Sequence, residues 1–121
     1  MNAELRALVT VEHEPIITAQ PEADAFCVAL RALVGPSGSP GEESFDFSVC
    51  SPAWLEAELK SSNMIGGRFL LITRTFDVRR IEDYVRRRIG EATGEDWPEV
   101  AGKIARWSHW ELEDYGSLSG S

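Results

Sequence analysis

Two segments of alternating apolar and polar residues, separated by a run of turn formers, constrain the fold of this chain most strongly. The alternation covers residues 26–34 and 45–50, and a period of two residues is typical of half-buried β-strands. Between them lies GPSGSPG at residues 35–41, which offers no core residue and favours a turn. The stretch therefore predicts an antiparallel β-hairpin.

One register of this hairpin matches both of its faces. If the numbers of paired residues sum to 77, Val28 faces Val49 and the other apolar positions also face one another. A slip of one residue would set apolar side chains opposite polar ones. On the other face the same register pairs Arg31 with Asp46, a favourable cross-strand ion pair.

The register also brings together the two cysteines of the chain, Cys27 and Cys50. A chain of this length can build a core without disulfides, and cytosolic proteins keep their thiols reduced. We therefore expect two free thiols. Together with two isolated histidines, His13 and His109, the cysteines lack the short spacings of a zinc site, so a zinc site is not expected.

The remaining elements follow from periodicity and capping residues. An alternation near the N-terminus predicts a first strand, and the apolar run at residues 68–76 predicts a central fourth strand. Ser51, Asp77 and Asp96 are suited to cap three helices, the first of which covers residues 52–61. The side chains expected in the core are Leu5, Ala7, Val9 and Val11 of the first strand, Leu55 and Leu59 of the first helix with Trp54 at its edge, Val78, Ile81, Val85 and Ile89 of the second helix, and Val100, Ile104 and Trp107 of the third.

Strands cluster early in the chain and helices late, so the predicted fold class is α+β. We expect a mostly antiparallel sheet with about three helices packed on one face. Residues 1–115 are interpreted as a single domain, and residues 116–121, which are small and polar, as a disordered tail.

Charge is distributed unevenly along the chain. Residues 1–58 contain 10 acids against two arginines, a net charge of −8, whereas residues 59–121 contain 10 acids and 10 bases. An acidic region repels phosphate backbones and attracts basic partners. The arginines of the second helix alternate with acids at the spacing of intrahelical ion pairs, so nucleic-acid binding is not expected. No apolar run is long enough to span a membrane, no secretory signal is visible, and the expected location is the cytoplasm.

The C-terminal run, residues 107–115 (WSHWELEDY), combines aromatic and acidic side chains. Strand alternation would direct Trp110 and Leu112 to the core and display Glu111, Glu113 and Tyr115. An aromatic ring flanked by carboxylates is a composition that recognises arginine or lysine. The alternative is a folding role, in which these carboxylates cap helix ends or pair with the arginines of the second helix.

Several segments together resemble a known protein family. They are residues 41–55 (GEESFDFSVCSPAWL), 67–72 (GRFLLI), 96–101 (DWPEVA) and 110–115 (WELEDY). The chain resembles the Immunity protein 8 family of bacterial polymorphic toxin systems over nearly its whole length. It departs from the family at Leu112, where an aromatic residue is usual, and at Ser51, where threonine is commoner but serine keeps the helix cap.

The resemblance implies a small cytoplasmic protein, without catalysis or a cofactor, that binds a cognate toxin domain and neutralises it in the producing bacterium. The acidic half of the chain indicates a basic toxin. Two alternatives are a binding module with a non-toxin partner and an uncharacterised enzyme, although no nucleophile or phosphate-binding motif is present. The candidate partner-binding residues are Glu42, Glu43, Asp46, Glu111, Glu113 and Tyr115.

Overall fold

Strands and helices cover most of residues 1–113, the part of the chain that the computed structural model describes. In chain order the elements are β1 (Ala3–Thr10), β2 (Cys27–Pro36), β3 (Glu43–Cys50), α1 (Pro52–Ser62), β4 (Leu70–Ile72), α2 (Val78–Gly90), α3 (Trp97–Ile104) and β5 (His109–Trp110). A short 3-10 helix, Ile16–Ala19, lies between β1 and β2. The expected tail at residues 116–121 lies outside the described residues.

The strands form one sheet in the order β1-β2-β3-β4, and β5 also pairs with β3. The pairs β1–β2, β2–β3 and β3–β5 are antiparallel, and β3–β4 is parallel. The predicted α+β class with a mostly antiparallel sheet and three helices is confirmed.

The hairpin has the predicted register along its whole length. Val28 pairs with Val49, and every other pair from Cys27↔Cys50 to Val34↔Glu43 keeps the same sum of residue numbers. The apolar residues of one face are buried except Val28, which is half-buried, whereas Arg31, Asp46, Ser44 and Ser48 of the other face are half-buried. The match between apolar faces is thus sufficient to determine the pairing of β2 and β3.

The predicted inward face of β1 is wrong beyond Leu5. A bulge between Leu5 and Ala7 changes the phase of the strand, so Leu8 and Thr10 are buried in place of the expected Ala7 and Val9. A bulge adds one residue to one strand of a pair and shifts the alternation after it.

The bulged residue, Arg6, extends over the β2–β3 turn, where its Nη2 donates hydrogen bonds to the carbonyl oxygens of Pro36, at 2.8 Å, and Ser39. Gly35 lies beneath this side chain. A Cβ atom there would lie 2.1 Å from the carbonyl oxygen of Gly41. Only glycine therefore fits at position 35, and the bulge anchors the turn.

Helices α2 and α3 begin and pack as predicted. The carboxylates of Asp77 and Asp96 accept hydrogen bonds from the backbone N–H groups of Arg80, at 3.1 Å, and Glu99, at 3.0 Å, so both act as N-caps. The helices cover one side of the sheet, which we call the helix-facing side; the opposite side is the solvent-facing side. The core between them contains Leu30, Ala32, Val34, Phe45, Phe47 and Val49 of the strands and Ile81, Val85, Ile89, Val100, Ala101 and Ile104 of the helices.

Helix α1 has the predicted cap but not the predicted burial. Ser51 Oγ accepts the Trp54 N–H at 3.2 Å, yet no residue of the helix is buried and Leu59 is 44% exposed. The predicted core positions Leu55 and Leu59 are therefore wrong. The helix connects β3 to the parallel strand β4, and it makes few contacts with other elements.

The prediction of a long, central fourth strand is also wrong. Strand β4 has three half-buried or exposed residues, Leu70–Ile72, and lies at the end of the sheet. It shares one edge of β3 with β5, which pairs at Phe45 and Asp46. The remaining edge is too short for more than three residues, and the chain then turns into α2 at its cap, Asp77.

Candidate partner-binding surface

An ion pair lies at the middle of the solvent-facing side of the sheet. Arg31 donates two hydrogen bonds to the carboxylate of Asp46, from Nε at 2.8 Å and from Nη2 at 2.9 Å. Both side chains keep a quarter to a third of their surface exposed. These hydrogen bonds raise the pKa of Arg31, and the negative charge of Glu111 acts in the same direction. The guanidinium therefore remains charged at any physiological pH.

Histidines stand on both sides of this ion pair. His13 lies in the turn after β1, and its Nε2 is 3.0 Å from Nη1 of Arg31. His109 of β5 is paired directly with Asp46 in the sheet, and its ring packs edge-on against Phe69. The solvent-facing side thus presents a connected polar cluster, built from β2, β3, β5 and the β1–β2 connection.

Glu111 directly follows β5 and bonds to Ser44 of β3. Its Oε1 accepts a hydrogen bond from the Ser44 N–H at 2.6 Å, and its own N–H donates to the Ser44 carbonyl oxygen at 3.1 Å. The side chain nevertheless remains exposed. Glu111 and Asp46, two of the predicted binding residues, therefore contribute negative charge to the same region around Arg31.

Glu43 lies on the helix-facing side and is held inside the fold. Its Oε1 accepts hydrogen bonds from the indole N–H groups of Trp97 and Trp110, both at 2.8 Å. The ring of Phe45 stacks on Trp110 and contacts Trp97 edge-on. One carboxylate thus joins the start of α3, the start of β3 and the last strand. The strand alternation could have indicated this, because Glu43 shares its face with Phe45 and Phe47.

Glu113 is joined to the segment before β4. Its carboxylate pairs with Arg68, whose Nη2 also donates a hydrogen bond to the Ala105 carbonyl oxygen at 2.7 Å. These residues line an open cavity of about 420 Å³ together with Trp110. The arginine that Glu113 meets therefore belongs to the β4 region and not to the second helix.

The comparison with known proteins identifies a family for nearly the whole chain. The family description Immunity protein 8 matches residues 3–115. The chain belongs to the Immunity protein 8 family. Curated proteins and solved structures yield no match to it.

The match to the Immunity protein 8 family spans every candidate binding residue, but the structure does not bring all six together. Glu42 is exposed directly before β3, four residues before Asp46. Glu43 and Glu113 have the internal partners described above. Tyr115 lies outside the described residues.

The predicted alternation of the last segment in this Immunity protein 8 chain is wrong after Trp110. Strand β5 ends there, and a turn follows at residues 111–112. Leu112 is half-buried, as is Glu113, which the alternation had displayed together with Glu111. The pairing of β5 with β3 covers only two residues, and the alternation is not kept in the described residues 111–113. The hydrogen bonds between Glu111 and Ser44 follow directly after the last pair.

The arginines of α2 are largely engaged within the fold of this Immunity protein 8 chain. Arg86 forms the predicted ion pair with Glu82 at 3.4 Å. Arg88 donates to the Tyr84 hydroxyl at 2.9 Å and lies over the Trp107 ring, while Arg87 stacks on Tyr84. The contact of Arg88 with Trp107 was not evident from sequence spacing, because Trp107 belongs to a different part of the chain. The contacts with Tyr84 have the helical spacings of three and four residues.

The described residues hold neither a metal-ligand cluster nor a helix long and apolar enough to cross a bilayer. Residues 1–113 contain no group of three or more histidine, cysteine, aspartate or glutamate side chains arranged to hold a metal ion. Within the same range, no helix combines the length and the apolar character that crossing a bilayer requires.

Proposed function

We propose that this protein binds a cognate toxin domain and neutralises it in the cytoplasm of the bacterium that produces both. The observation that carries the proposal is the match to Immunity protein 8 over residues 3–115, which covers the whole sheet and all three helices. The proposed action is binding alone, without catalysis or a cofactor.

The solvent-facing side of the sheet is the proposed contact surface. No described helix packs its buried face on this side, whereas α2 and α3 bury the opposite side. Protein interfaces have a polar rim, and their backbone usually moves little when the partner binds. Three carboxylates, those of Glu42, Asp46 and Glu111, give this region more negative than positive charge, because Arg31 compensates only one of them.

The proposed partner surface is basic. The charge of −8 in the first 58 residues supports this, since an acidic surface steers a basic partner into productive encounters. We propose Glu42, Asp46 and Glu111 as the residues that contact the toxin. Tyr115, which lies outside the described residues, and Glu113 stay candidates from the sequence. Glu43 supports the surface from behind through its two indole partners.

The experiment that tests the proposal is co-expression with the toxin domain encoded by the neighbouring gene. We expect the pair to co-purify in equal amounts and the growth arrest caused by the toxin domain alone to disappear. If the toxin remains lethal and neither protein retains the other on an affinity column, the proposal is wrong. Capture of the toxin without relief of growth arrest would leave a binding module and exclude an immunity protein.

A further inference from the structure

The two cysteines are held against each other at one end of the hairpin. Cys27 and Cys50 are direct partners in the β2–β3 register, and their Sγ atoms lie 2.8 Å apart as free thiols. Cys50 is fully buried, whereas Cys27 is exposed. One thiol is therefore accessible to a solute, and the second can be reached only through the first.

The backbone geometry at this pair suits a covalent bridge. The Cys50 carbonyl oxygen accepts the Thr73 N–H at 2.9 Å, on the side of β4, so it does not bond to β2. In the adjacent pair, the Ser51 N–H donates to the Phe26 carbonyl oxygen at 3.0 Å. Cys27 and Cys50 thus form a non-hydrogen-bonded antiparallel pair, in which the Cα atoms are about 4.5 Å apart. This separation lies within the range that disulfides span.

From this geometry we infer that Cys27 and Cys50 are a redox-responsive pair, reduced at rest, that closes to a reversible disulfide on exchange with a small-molecule disulfide such as glutathione disulfide. The Cys27 thiolate attacks one sulfur of glutathione disulfide and releases one glutathione thiolate. The Cys50 thiolate then attacks the Cys27 sulfur and releases the second glutathione. The two protein thiols are oxidised, one glutathione disulfide is reduced to two thiols, and the two protons pass to the released thiolates.

The order of the two steps follows from the environments of the thiols. Burial raises the pKa of Cys50 to about 12, and its hydrogen bond with Cys27 acts in the same direction. A thiol reacts as its thiolate, so Cys50 is a slow first nucleophile. The second step needs no diffusion, because the Sγ atoms are already in contact, and this proximity compensates for the small thiolate fraction.

The disulfide would act on a junction of the fold. Cys50 is the last residue of β3, it pairs with Ile72 of β4, and it directly precedes Ser51, the N-cap of α1. Ser51 Oγ also accepts the Phe26 N–H at 3.0 Å. A bridge between Cys27 and Cys50 would therefore join β2 covalently to the point where β3, β4 and α1 meet, and would close a loop that contains the whole hairpin.

The test uses the purified, reduced full-length chain and glutathione disulfide as the probe. After incubation, free thiols are blocked with iodoacetamide and the protein is analysed by mass spectrometry under non-reducing conditions. We expect a monomer that has lost the mass of two hydrogens, carries no alkyl group and yields a peptide linking Cys27 to Cys50. Its melting temperature should rise, and dithiothreitol should reverse both changes.

Two variants separate the steps. Cys50→Ser should stop at a stable glutathione adduct on Cys27, and Cys27→Ser should remain unmodified in the folded state. If a variant fails to fold, the measurement on the parent chain still shows whether the disulfide forms. A lasting glutathione adduct on the parent chain, a disulfide-linked dimer, or two alkylated thiols would each contradict the inference.

Discussion

The two sides of β3 use acidic residues in opposite ways. On the helix-facing side, Glu43 directs one carboxylate oxygen to the indoles of Trp97 and Trp110, beside the buried ring of Phe45. On the solvent-facing side, Asp46 pairs with an arginine that remains partly exposed. The two acids are three positions apart in one strand. The face of the sheet on which an acid lies, and not its charge, therefore determines whether the acid supports the fold or is available to a partner.

The largest effect is expected on the helix-facing side from Phe45→Ala. Phe45 is fully buried and contacts both indoles, so its removal should lower the free energy of unfolding by about 3–5 kcal/mol. Urea denaturation followed by tryptophan fluorescence measures this. The matched control on the solvent-facing side is Ser48→Ala, which should change stability by less than about 0.5 kcal/mol. Equal losses of stability in the two variants would mean that the two sides of the sheet contribute equally to the fold.

A smaller loss is expected from Glu43→Ala. Two half-buried indole N–H groups would lose their acceptor, which should destabilise the fold by about 1–3 kcal/mol. Glu43→Gln keeps an acceptor oxygen and should lose less. Glu42→Ala removes a neighbouring exposed acid and serves as the control, with an unfolding curve close to the parent's. If Glu43→Ala and Glu42→Ala unfold alike, the carboxylate does not support the fold.

The ion pair on the solvent-facing side should contribute least to stability. Arg31 and Asp46 are partly exposed, and exposed ion pairs are worth about 0.2–1 kcal/mol. A double-mutant cycle with Arg31→Gln and Asp46→Asn isolates this coupling energy from other effects of each substitution. A coupling energy as large as the loss from Glu43→Ala would mean that Asp46 also serves mainly the fold.

The sequence was sufficient to predict the parts of the fold that depend on local pattern. The pairing of Val28 with Val49 follows from period-two alternation on both strands, and the caps Ser51, Asp77 and Asp96 follow from residue type and spacing. These features need no knowledge of other elements. The α+β class followed from their order.

Features that depend on contacts between distant segments could not be predicted. The β1 bulge depends on Arg6 reaching the carbonyl oxygens of the β2–β3 turn. The exposure of Leu59 depends on how few contacts α1 makes with the other elements, which its own sequence pattern does not reveal. The role of Glu43 depends on its contacts with Trp97 and Trp110, which follow it in the chain by 54 and 67 residues. Composition alone had grouped Glu43 with the exposed acids.

Association kinetics with the cognate toxin domain are the sharpest test of whether the solvent-facing acids recognise a basic toxin. The variant Glu42→Gln/Asp46→Asn/Glu111→Gln removes three charges from the proposed surface and keeps side-chain shape. The control Glu22→Gln/Asp24→Asn/Glu91→Gln removes three charges from exposed sites elsewhere. The control should melt within a few degrees of the parent, since substitutions at surface sites without internal contacts usually change stability by less than about 0.5 kcal/mol. The surface variant keeps oxygen acceptors toward Arg31 and Ser44 and should lose only the ion pair, worth about 0.2–1 kcal/mol.

We expect the surface variant to associate at least about tenfold more slowly than the control in stopped-flow measurements at low salt. We also expect association of the parent to slow steeply as salt is added, while dissociation changes little. Equal association rates for the two variants, or a rate for the parent that does not depend on salt, would contradict recognition of a basic toxin by the solvent-facing acids.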